Sequence, residues 1–212
     1  MEGLNRVRER IAAACARAGR DPSSVTLVAV SKTQPLEKLR QAFEAGQRAF
    51  GENYAQELRA KSEALPGAEW HFIGGLQTNK ARMVVGRAAL VHTCDRIGLA
   101  RELAKRAAAP QRVLLEVSIG KEPQKSGVLP EDVAALLEVV RALPQLRCEG
   151  LMCIPPASGD PRPHFRALRE LASRLGLREL SMGMSADYEA AIEEGATIVR
   201  IGTAIFGQRQ RA

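Results

Sequence analysis

Short apolar runs alternate with helix-forming segments from residue 25 to residue 206, and this alternation constrains the fold more than any other feature. The runs are "VTLVAV", "RAFG", "EWHFIGG", "ALVHTCD", "RVLLEVSIG", "LRCEGLMCI", "RELSMGM" and "TIVRIG". Each is followed by a helix or a helical turn, for example "LEKLRQAFEAG", "YAQELRAKSEAL", "IGLARELAKRAAA" or "PHFRALRELASRLG". Repeated βα units imply a parallel sheet covered by helices. About eight such units close into a (β/α)8 TIM barrel, and 212 residues fall near the lower limit for that fold. A doubly wound open sheet is the alternative. It is disfavoured because no G-x-G-x-x-G fingerprint follows the first strand.

A helix from about Leu4 to Ala18, stopped by Gly19, precedes the repeat and is expected to stand outside it. Thr93 or Asp95 is placed to cap the helix "IGLARELAKRAAA". No low-complexity segment or linker divides the chain, so one α/β domain over residues 1–212 is expected. No stretch reaches the length of a membrane span, and the N-terminus lacks the apolar core of a signal peptide. A cytoplasmic protein with no membrane contact is the expectation.

Lysine and arginine total 31 against 24 acids, a net charge of +7 that favours anionic ligands. The basic residues are dispersed, however, and only 4% of residues are aromatic, too few for a base-stacking platform. Nucleic acid is therefore not expected as a partner. Cys15, Cys94, Cys148 and Cys153 form no C-x-x-C pair and read as buried free thiols. His71, His92 and His164 are too scattered along the chain to indicate a metal site.

In a barrel of this kind, function sits at the C-terminal ends of the strands. Those ends carry Ser31-Lys32, Gly51-Glu52-Asn53, Gly74-Gly75, Thr93-Cys94-Asp95, Ser118, Met152-Cys153, Ser181 to Ser185, and Arg200 to Thr203. Lys32 is the only lysine among them. An amine beside buried strand residues loses its proton more readily and can attack an aldehyde to form a Schiff base. A carbonyl substrate or pyridoxal phosphate would suit it. Taken alone, Lys32 reads more plainly as a lysine snorkelling at a strand end.

The far end of the chain shifts that balance. Gly202 and Thr203 follow the last strand at a helix start, where barrels often hold phosphate, and Ser185 adds a hydroxyl. Gly202 also reads as a turn residue and Ser185 as a helix cap. Arg200 shares a strand face with Gly202, and if that face is interior the guanidinium needs an acceptor. A ring nitrogen, a phosphate or a barrel acid such as Glu116 would serve. Asn53 could lie against a planar ring, or simply cap a turn. Lys80 and Lys125 are further amines and read as exposed charges or as secondary handlers of an anion.

The motifs "AVSKTQP", "FGENYAQE", "WHFIGGLQTNKAR", "LMCIPP" and "SMGMSADYEAAIEEGATIVRIGTAIFG" occur together, in order. On them the chain closely resembles the pyridoxal-phosphate homeostasis proteins, the YggS/PROSC family, from about Val25 to Phe206. The resemblance implies a fold-type III barrel like the N-terminal domain of alanine racemase. It implies pyridoxal 5'-phosphate held as a Schiff base on Lys32, with Asn53 at the ring and Ser185, Gly202 and Thr203 at the phosphate. Arg200 would sit beside the cofactor, at the ring nitrogen or the phosphate. Gln34, Gly75 and Cys94 depart from or vary within the family pattern and touch none of these anchors.

The resemblance also implies binding, buffering and delivery of the cofactor to PLP-dependent apoenzymes, without robust catalysis. No catalytic residue is assigned. Alanine racemases of this fold take a catalytic tyrosine from a second, mainly β domain. The chain ends six residues after Phe206, and no such domain is expected. Tyr54 and Tyr188 fall at helix starts, neither an obvious partner for Lys32. A weak amino-acid racemase and a Schiff-base aldolase are the competing readings. A monomer is expected, with a dimer left open.

Overall fold

The structure, a computed structural model, describes residues 1–122 and 126–208. After α1 (Glu2–Arg17), eight strands alternate with helices: β1 (Thr26–Val30), α2 (Leu36–Glu44), β2 (Ala49–Glu52), α3 (Ala55–Ala64), β3 (Glu69–Phe72), α4 (Ala81–Val84), β4 (Leu90–Cys94) and α5 (Ile97–Arg106). The second half runs β5 (Gln111–Val117), α6 (Val133–Arg141), β6 (Leu146–Cys153), α7 (Arg162–Arg174), β7 (Glu179–Ser181), α8 (Tyr188–Glu193), β8 (Ile198–Ile201) and the one-turn α9 (Thr203–Phe206). The strands pair in chain order, all parallel. β8 closes on β1 with Thr26 opposite Ile198 and Val28 opposite Arg200. That seam makes the sheet a closed barrel and removes the open-sheet alternative.

Strand alternation sends one set of side chains to the helices and the other into the barrel. Val28, Ala49, Leu90, Leu114, Met152 and Ile198, from six strands, form an apolar cluster separate from the larger core. The larger core lies between sheet and helices and is built from stripes such as Leu99, Ala100, Leu103 and Ala104 of α5. Several buried polar residues share the barrel strands, among them His71, His92, Glu116, Ser181 and Arg200.

The first helix is not peripheral. Leu4, Val7, Ile11, Ala14 and Cys15 make one buried stripe at three- and four-residue spacing, and the helix packs on α8 and α9. On its other side Arg8 Nη1 donates to the Ala45 carbonyl at the end of α2, at 2.9 Å. α1 therefore completes the helical ring between α8 and α2, where the four-residue α9 is too short to do so.

The cap expected for α5 is not formed. Arg96 occupies the cap position without a side-chain bond. Thr93 instead donates to the Gly74 carbonyl at 2.7 Å, and Asp95 pairs with Arg96 at 2.5 Å. The helix starts too late for Thr93 to reach it, and a buried hydroxyl must find an acceptor nearby. The four cysteines are free; three are buried and Cys148 is half-buried. Burial pushes the Cys94 and Cys153 thiols up to about 12, which keeps them protonated at neutral pH.

Candidate functional site

A cavity of about 330 Å³ opens at the C-terminal end of the barrel, lined by Lys32, Asn53, Ser185, Arg200, Gly202 and Thr203. All six residues singled out in the sequence thus face one space, large enough for a small ligand. Val30, Ile73, Ile154 and Met184 supply apolar walls.

Lys32 is half-buried and follows β1 in a tight turn. Thr33 adopts φ 61, a left-handed conformation that is costly for a β-branched residue. Neighbouring side chains hold that turn. The Ser31 hydroxyl donates to Glu52 Oε1 at 2.7 Å, and the Thr33 N–H donates to Glu57 Oε2 at 2.9 Å. Lys61 Nζ donates to the Ser31 carbonyl (2.7 Å), Glu52 (2.8 Å) and Glu57 (2.6 Å). The backbone on both sides of Lys32 is therefore fixed by charged groups that sequence reading passed over. Lys61 sits four residues after Glu57 on α3 and looks like an ordinary surface pair; only the fold brings Ser31 and Glu52 against it.

Glu52 is fully buried, and burial raises its carboxyl to about 6 despite Lys61 and Ser31. A raised carboxyl pKa stabilises the fold fully below the unfolded value near 4.5, and that contribution is lost as pH rises through the folded value. That rise corresponds to about 2 kcal/mol. In urea titrations, wild type should lose about that much stability relative to Glu52→Gln between pH 4.5 and 6.5. Parallel pH profiles for the two proteins would contradict the assignment.

Arg200 is 4% exposed. Its acceptors are not the barrel acid considered from sequence. Nη1 donates to Ser181 Oγ at 2.6 Å and Nη2 to the Cys153 carbonyl at 3.0 Å. Glu116 instead accepts from the Ser126 hydroxyl at 2.7 Å. The arginine is thus held from β6 and β7, at a fixed place on the cavity wall.

Asn53 Oδ1 is buried without a hydrogen-bond partner. The backbone of Asn53 is packed on Gly74, where a Cβ would lie 2.6 Å from Asn53 Cα and collide with its carbonyl oxygen. Gly202 has a similar role beside Lys32: a Cβ there would approach the Val30 carbonyl oxygen to 3.1 Å. Thr203 opens α9 directly after it. Ser185 caps no helix; Asp187 precedes α8 and its carboxylate accepts from the Met184 N–H at 2.6 Å. Lys80 is half-buried and lines a separate hollow of about 230 Å³ on the far side of Asn53 and Tyr54. Lys125 lies outside the described residues.

Two of the histidines meet in a way their spacing along the chain does not show. His71 and His92, 21 positions apart, lie on neighbouring strands with Nδ1 and Nε2 separated by 2.8 Å. Their inward-facing register on β3 and β4 was the available signal.

The family model described as "Alanine racemase, N-terminal domain" matches residues 3–210. The pyridoxal phosphate homeostasis protein of Aquifex aeolicus is 49% identical over 223 residues, covering 99% of this chain and 98% of that protein. Its counterpart in Escherichia coli K12 is 44% identical over 222 residues, with 97% and 95% covered. Among solved structures, PipY of Synechococcus elongatus with PLP bound superposes with a TM-score of 0.82 at 38% identity, covering 95% of this chain and 100% of that one. Alanine racemase from Corynebacterium glutamicum shares the fold, with a TM-score of 0.74 at 19% identity over 99% of this chain and 62% of that one. This chain belongs to the pyridoxal phosphate homeostasis protein family, built on the alanine racemase N-terminal fold.

Proposed function

We propose that this chain binds pyridoxal 5'-phosphate with Lys32 as its covalent anchor, and holds it for transfer to PLP-dependent apoenzymes without turning over a substrate. The observation that carries this reading is the convergence of an amine, a buried guanidinium, an unpartnered amide oxygen and two hydroxyls on one cavity. That donor set fits the group. When bound, pyridoxal phosphate supplies an aldehyde carbon that a lysine amine takes up as a Schiff base.

The chain's own residues do the rest. The pinned turn presents the Lys32 amine. The Ser185 and Thr203 hydroxyls would bind phosphate beside Gly202, where a side chain would crowd Val30. The Asn53 amide would lie at the ring. Arg200 faces the ring nitrogen or the phosphate. A guanidinium does not give up its proton, so beside a ring nitrogen it keeps that nitrogen unprotonated and weakens it as an electron sink.

The lack of catalysis rests on the cavity lining, which includes no tyrosine among the described residues. Tyr54 is 54% exposed, and Tyr188 is buried with its ring 5.5 Å from the Arg10 guanidinium carbon. No helix among the described residues is long and apolar enough to cross a membrane, and the carrier reading takes the protein as cytoplasmic.

The test is a titration with pyridoxal phosphate followed by a turnover screen over D- and L-amino acids. One equivalent bound, with product no faster than free cofactor yields, is expected. Sustained racemisation well above that rate would overturn the carrier reading, and no binding would overturn the cofactor.

A further inference from the structure

A chain of polar groups, buried except at its last member, runs through the barrel from the cavity to its opposite end. Arg200 Nη1 contacts Ser181 Oγ at 2.6 Å, and Ser181 Oγ lies 2.8 Å from His92 Nδ1. His92 Nε2 lies 2.8 Å from His71 Nδ1, and His71 Nε2 lies 3.3 Å from Glu69 Oε1. Glu69 is the first residue of β3, at the N-terminal rim, where Arg112 also reaches it at 3.7 Å. Ser181 and His92 have no exposed surface and His71 is 2% exposed.

The two ends of this chain dictate its direction. A guanidinium can only donate, and an ionised carboxylate can only accept. Ser181 Oγ must therefore accept from Arg200. Its own proton then has His92 Nδ1 as its acceptor. A neutral His92 with Nδ1 free carries its proton on Nε2, and that N–H points at His71 Nδ1. His71 in turn carries its proton on Nε2 and donates to Glu69. Each link has one donor and one acceptor, and no link can be reversed without leaving a buried group unmatched. Burial holds His92 well below the usual imidazole range, so it is neutral. The bond from His71 lowers the Glu69 carboxyl, so it is ionised.

We propose that Ser181, His92, His71 and Glu69 are positioning residues for the cavity, forming a one-way hydrogen-bond chain that fixes the Arg200 guanidinium beside the ligand. As far as the ligand is concerned, this rests on the pyridoxal phosphate reading; the direction of the chain does not. A serine hydroxyl alone can rotate away from an arginine. One whose proton is committed to His92 keeps a lone pair aimed at Nη1. The guanidinium plane, held at Nη1 by Ser181 and at Nη2 by the Cys153 carbonyl, is then set before any ligand arrives.

The first test uses the ligand-free protein. Long-range ¹H–¹⁵N spectra of the histidine rings report which nitrogen carries the proton, and His164, half-buried on α7, is the only other histidine. At neutral pH His92 should be neutral with its proton on Nε2, and the Nε2 of His71 should carry the proton that faces Glu69. A proton on Nδ1 of His92, or an imidazolium there, would overturn the chain. In Ser181→Ala the Arg200 guanidinium protons should exchange with water at least about tenfold faster, and Ser181→Thr should restore protection. Affinity for pyridoxal phosphate should fall about tenfold in Ser181→Ala and recover in Ser181→Thr. Unchanged exchange and affinity in Ser181→Ala would overturn the positioning role. If wild type binds no pyridoxal phosphate, the cofactor reading fails, and the tautomer and exchange results still decide the chain.

Discussion

Lys32→Ala should lose every borohydride-stable link to pyridoxal phosphate and weaken its binding by about 100-fold or more, equivalent to about 2.7 kcal/mol. Among the described residues, the lysines around the site are engaged elsewhere. Lys61 is committed to Ser31, Glu52 and Glu57, and Lys38 donates to Gln34 and to the Phe206 carbonyl. Lys80 faces a different hollow. Ser185, Thr203 and Arg200 remain in the variant, so weak, reversible binding should persist and be competed by inorganic phosphate. The fold should be little affected, because bonds among Ser31, Thr33, Glu52, Glu57 and Lys61 hold the turn. Equilibrium dialysis and absorbance after reduction read both effects. A reducible lysine adduct at full occupancy in Lys32→Ala would mean that another amine is the anchor.

Gly74→Ala should be the most damaging single methyl in the barrel mouth. The added carbon would sit 2.6 Å from Asn53 Cα, closer than packed atoms approach, with no flexible side chain to yield. Relief requires β3 to part from the turn after β2. A loss of about 3 kcal/mol is expected, which lowers Tm by about 6–12 °C in a chain of this size. Because Asn53 moves with the same turn, affinity for pyridoxal phosphate should fall even at temperatures where the variant is folded. A melting temperature within a degree or two of wild type would show that the Asn53 turn is not locked as described.

The barrel was legible because its signal repeats. Eight short apolar runs separated by helices leave little choice of architecture, and even a weak run such as "RELSMGM" is carried by its neighbours. The anchors were legible because each terminates a strand, where period-two alternation and the βα rule fix which way a residue faces. What could not be read is whatever depends on contact between distant segments. Lys61 is an ordinary helix lysine until β1 and β2 bring Ser31 and Glu52 under it. His71 and His92 are isolated in sequence and bonded in space. Ser181 stood within a quoted motif, yet its part in holding Arg200 depends on the pairing of β7 with β8, which no local pattern encodes. The caps expected at Thr93 and Ser185 failed for a related reason. Both residues had the right chemistry for a helix start, and the fold gave Thr93 a carbonyl acceptor and Ser185 a place in the cavity.

Borohydride trapping tests the central claim most directly. The protein is incubated with one equivalent of pyridoxal phosphate, reduced, digested and mapped by mass spectrometry. A single modified lysine at position 32 is the predicted result, and it would tie the amine that follows the first strand to the cofactor. Adducts scattered over surface lysines, or none at all, would contradict the account and leave Lys32 as an ordinary residue at the barrel rim.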